Sequence, residues 1–71
     1  MVNVNKLKGK IIENGLNIPE LANKIGMDKA TLYRKINNSG KFTIKEADCI
    51  SKELDLSLEE VNAIFFSQYV A

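Results

Sequence analysis

The chain has 71 residues and a net charge of +1, which makes one domain near the lower size limit for a core that folds unaided. A hydrophobic fraction of 45% is ordinary for a globular protein and too high for a disordered tail. There is no His and one cysteine, Cys49, which excludes a disulfide framework and a multi-cysteine metal site and removes the commonest general base.

The first helix is expected over about residues 4–14, where Val4, Leu7 and Ile11 keep the 3–4 apolar rhythm and Gly15 closes the end. Asn17 with Glu20 reads as a capping box, in which a short polar side chain accepts from an orphan amide and a carboxylate three residues on returns the bond. It opens a short second helix with Leu21, Ala22 and Ile25 inward and Gly26 at its end. Pro19 falls in the first turn, where its missing N–H costs nothing. Asp28 caps a third helix, about 29–36, with Leu32 and Ile36 one turn apart. Asn37-Asn38-Ser39-Gly40 reads as a loop. Thr43 with Glu46 and Ser57 with Glu60 are two further capping boxes. They start a fourth helix marked by Ile44, Ala47, Ile50 and Leu54, and a fifth marked by Leu58, Val61, Ile64 and Phe65. No segment sustains a two-residue alternation, so the expected fold is all-α, one five-helix bundle over residues 1–71.

Charge is unevenly placed. Residues 29–41 hold Lys29, Arg34, Lys35 and Lys41 with no acid, whereas residues 42–71 sum to −4. Such asymmetry marks one anion-facing surface. Lys6, Lys8 and Lys10 read as a solubilising face, and Cys49 as a small core residue. The longest apolar run, Ala63–Phe66, is far short of a membrane span, and no hydrophobic signal core follows the first lysines. A soluble, cytoplasmic protein is expected. With no His, no glycine-rich phosphate loop and no paired carboxylates, nothing suggests an enzyme, a cofactor, a metal or a small-molecule ligand.

Residues 17–37 combine small Ala22 at a helix crossing, Gly26 at a turn needing positive φ, Met27 as an apolar plug and Leu32 as an inward anchor. This stretch, with E-L-A-N-K-I-G-M followed by A-T-L-Y-R, resembles the helix-turn-helix of the Cro and lambda-repressor family. The five-helix count and the S-L-E-E-V start of the last helix extend the resemblance over about residues 4–66. It implies a lambda repressor-like DNA-binding domain whose third helix enters the major groove of a double-stranded operator. A chain this short is similar to a phage or prophage Cro-type regulator or short repressor. The resemblance implies that Lys29, Ala30 and Thr31 face the bases, and that Tyr33 and Arg34 reach bases or the flanking backbone. It implies a phosphate contact at Asn37, with Lys35, Asn38 and Lys41 adding others. Arg and Lys suit guanine O6 and N7, and the Ala and Thr methyls suit the thymine methyl. Two positions depart from the family pattern. Ile18 stands where Gln commonly braces a phosphate, leaving only helix-end amides for that task, and Lys35 stands where an apolar residue is common.

The C-terminal Phe65, Phe66, Tyr69 and Val70 are apolar on more than one helical face. Either they close the protomer core, or one face pairs with a second copy to make a homodimer. A competing function is an antirepressor or modulator that uses the same scaffold to bind another phage repressor protein.

Overall fold

The computed structural model describes residues 2–39 and 41–66. Its elements are α1 (Val4–Glu13), α2 (Ile18–Ile25), α3 (Lys29–Arg34), a π-helical turn (Lys35–Ser39), α4 (Ile44–Glu53) and α5 (Leu58–Phe65), with no strand among the described residues. This is the expected all-α, five-helix architecture. No helix among the described residues is long and apolar enough to cross a membrane.

All three capping boxes close in both directions. Asn17 Oδ1 accepts from the Glu20 amide at 2.8 Å while Glu20 Oε1 accepts from the Asn17 amide at 3.0 Å. Thr43 with Glu46 and Ser57 with Glu60 repeat the pattern. At α3, Asp28 Oδ2 accepts from the amides of Ala30 and Thr31. These short local bonds satisfy amides that no preceding turn can serve, which is why each start falls where the polar residue stands.

Three helix ends share another device. After α1, α2 and α4 the chain passes through a left-handed residue: Gly15 at φ 73°, Gly26 at φ 70° and Asp55 at φ 51°. In each case the next amide reaches back five residues, Leu16 to Ile11, Met27 to Ala22 and Leu56 to Ser51, at 2.9–3.0 Å. These are Schellman closures, and they turn the chain sharply enough for neighbouring helices to pack.

The core joins all five helices through Leu7, Ile11, Leu21, Ala22, Leu32, Ile36, Ala47, Ile50, Leu54, Ile64 and Phe65. The first and last helices are tied together as well. The Asn3 amide donates to the Ile64 carbonyl at 2.7 Å, and Lys10 on α1 pairs with Glu60 on α5.

Several sequence expectations are corrected. The third α-helix stops at Arg34, and Asn37, Asn38 and Ser39, expected in a loop, continue it as a π turn. Ile44 is 81% exposed. At about 100° per residue it sits roughly a quarter-turn away from the stripe of Ala47, Ile50 and Leu54. Leu58 is in phase with Val61 and Phe65, but it lies in the first turn of α5, beyond the reach of the core, and is 78% exposed. Cys49 is half-buried at the edge of the core instead of within it. Phe65 belongs to the protomer core, its ring edge-on to Phe42 with centroids 5.8 Å apart. Phe66 packs against that core. Tyr69 and Val70 lie outside the described residues.

Candidate nucleic-acid interface

The candidate surface is built from the inside outward. Leu32 and Ile36 are fully buried and fix the inner face of α3 and the π turn, while Ala22, only 1% exposed, keeps the surface of α2 flat beneath them. The Gly26 turn and half-buried Met27 set the angle between α2 and α3. The opposite face of α3 is thereby held toward solvent.

On that outer face Lys29, Ala30, Tyr33 and Arg34 line one open groove. Asn37 and Asn38 from the π turn and Pro19 from α2 complete it. Six of the nine residues expected at a DNA surface therefore share a single concavity. In an α-helix followed by a loop, Asn38 would be free to leave this face. The wider π winding keeps residues four and five apart close together, so Tyr33, Asn37 and Asn38 remain side by side. No sequence signal marks the π turn. Pro19 was legible only as a helix-start residue, and its place in the groove follows from the packing of α2 beside α3.

Electrically the groove carries the side chains of Lys29 and Arg34 and no carboxylate. Arg34 Nη2 donates to Thr31 Oγ1 at 3.4 Å, a long bond that leaves the exposed guanidinium able to extend. Thr31 is half-buried beside the groove, and Lys41 is exposed beyond the turn. Lys35 is turned elsewhere. Its Nζ donates to Glu46 Oε1 at 2.8 Å and lies 5.9 Å from the centroid of the Phe42 ring. Partial burial pushes the Glu46 carboxyl up, but bonds from Lys35 and the Thr43 amide outweigh it and hold the group below the usual carboxylate range.

The start of α2 offers an external anion less than its sequence suggests. Pro19 has no N–H, the Glu20 amide is taken by Asn17 Oδ1, and the Leu21 amide by the Asn17 carbonyl. That leaves the Ile18 amide as the remaining donor of this turn. The Ile18 side chain packs on the core and, with Lys8, Ile11 and 74%-exposed Ile12, lines a separate apolar hollow. Lys10 is held by Glu60 and by Glu13, at 3.4 Å from the latter.

Comparison with protein families matches residues 6–66 to the Cro/C1-type helix-turn-helix DNA-binding domain. Comparison with curated proteins and with solved structures returns no match.

Proposed function

As a member of the Cro/C1-type helix-turn-helix DNA-binding domain family, this chain is a DNA-binding transcription regulator, and we propose that it recognises a specific operator as a repressor or Cro-like regulator of phage or prophage origin. The observation that carries this reading is the groove, where cationic, amide and small apolar side chains converge on the outer face of α3. That mixture matches the major groove. Lys29 and Arg34 supply donors to guanine, Ala30 and Thr31 offer methyl surfaces to thymine, and Asn37 and Asn38 hold phosphates at the flank. Tyr33, 47% exposed, supplies a flat apolar edge with a hydroxyl at its tip. Lys41 adds a backbone contact.

A two-fold operator would take two copies with their α3 helices roughly 34 Å apart, one turn of duplex. Phe66, Tyr69 and Val70 are the residues proposed for the contact between copies, since the Phe65 ring already serves the protomer.

The test is selection of duplexes from a random library by the purified chain. A retained consensus, bound by a species that sediments as a dimer, supports the reading. A second reading, a protein-binding modulator, is favoured by the apolar hollow beside Ile12 and Ile18. Failure to retain any duplex at low salt, together with a copurifying repressor protein, would establish that reading instead.

A further inference from the structure

We propose that Lys35 is a positioning residue that clamps the turn following α3, and that its charge is not used on the DNA backbone; the inference rests on the DNA-binding function above. Lys35 is the first residue of the π turn that carries Asn37 and Asn38 into the groove. Its ammonium bridges eleven positions to Glu46 in the first turn of α4, and both side chains are only about a quarter exposed, at 25% and 23%.

The anchor it meets is itself rigid. The same Glu46 Oε1 accepts from the Thr43 amide at 2.8 Å, and the Glu46 amide donates to Thr43 Oγ1 at 3.1 Å. Phe42 lies beneath the ammonium and is braced edge-on by Phe65. The π turn is thus tied at its first residue to the α4 cap and the aromatic pair below it. A π winding is intrinsically poor, so a side-chain tether of this kind is what keeps it from relaxing.

The alternative use of Lys35 carries a physical cost. Swinging its ammonium to a phosphate would strand the part-buried Glu46 carboxylate, leaving an unpaired anion near the DNA. While the pair holds, the two charges cancel at a distance, and Lys35 neutralises no phosphate. Arg34, the preceding residue, shows the contrast: it is exposed, and among the described residues its side chain is held by the long bond to Thr31 alone.

The test compares Lys35→Met, which keeps the aliphatic stem, with Glu46→Gln, which keeps an acceptor for the Thr43 amide. Two measurements need no DNA. In Lys35→Met the Glu46 carboxyl, followed by NMR, should titrate at higher pH than in the parent, and the Asn37 and Asn38 amides should exchange faster in both variants. With the selected duplex, both variants should bind more weakly, by about twofold to 150-fold, the range of a broken contact between neighbours. In Lys35→Met the slope of log K against log salt should be unchanged. A slope shallower by about 0.9 in Lys35→Met, the loss of one phosphate contact, would overturn the proposal. So would tighter binding in Glu46→Gln, or unaltered Glu46 titration in Lys35→Met with unaltered amide exchange in both variants. If the parent retains no duplex, the DNA-binding function fails on its own account, and titration and exchange still decide whether the clamp exists.

Discussion

Asp55 and Gly26 occupy the same left-handed conformation at equivalent places after a helix, yet only one of them is suited to it. A Cβ in this region strains against its own carbonyl by about 1–2 kcal/mol, which glycine avoids. Gly26→Ala should therefore destabilise the chain by about 1 kcal/mol, although a methyl there meets nothing within 4 Å. Asp55→Gly should be neutral to stabilising by as much as about 1 kcal/mol, because relief of strain is opposed by added freedom in the unfolded chain. Urea denaturation of the two variants measures both. Gly15 and Gly26 were legible as helix ends because glycine announces positive φ. Asp55 was not, since nothing local separates a left-handed aspartate from one in an ordinary turn.

Between elements, α3 is held by what lies beneath it more than by its own length. Six residues are too few for a self-sustaining helix, so its order depends on the Asp28 cap and on buried Leu32 and Ile36. Leu32→Ala should cost about 2–5 kcal/mol by the usual penalty for emptying a filled core site. Thermal melting should register it as a large fall in Tm. The bridge from α1 to α5 gives a pH signature. The bond from Lys10, aided by the Ser57 amide, holds the Glu60 carboxyl down to about 2, against an ordinary value of 4.5. A group with a depressed folded pKa stabilises the fold above its unfolded pKa and loses that contribution as pH falls through the folded value. Tm should drop between about pH 4.5 and pH 2, and Glu60→Gln should flatten that limb. If the acid limbs of parent and variant superimpose, the bridge contributes nothing. The five helices were legible because caps and apolar spacing are written within four residues of each other. Ile44 and Leu58 were misplaced because burial depends on which neighbour covers a turn. The Lys35–Glu46 pair joins two elements eleven residues apart, and no spacing rule reaches across that loop.

The whole molecule separates its duties by face. One side carries the open groove of α3 and the π turn, the interior carries an apolar core common to all five helices, and the Lys10–Glu60 bridge closes the first helix against the last. The net charge of +1 conceals this arrangement, because the segment 29–41 is cationic while residues 42–71 are acidic. For such a protein, long-range attraction to DNA should come from one face only, and salt should weaken it strongly. Specificity should rest on a few groove side chains. The most direct measurement is therefore the affinity of parent and Arg34→Ala for the selected duplex and a scrambled one, across a series of salt concentrations. The expected result is a linear fall of log K with log salt for both duplexes, with Arg34→Ala losing about 1–3 kcal/mol on the selected duplex and much less on the scrambled one. Equal affinity of the parent for both duplexes, or none for either at low salt, would contradict sequence-specific recognition by this face.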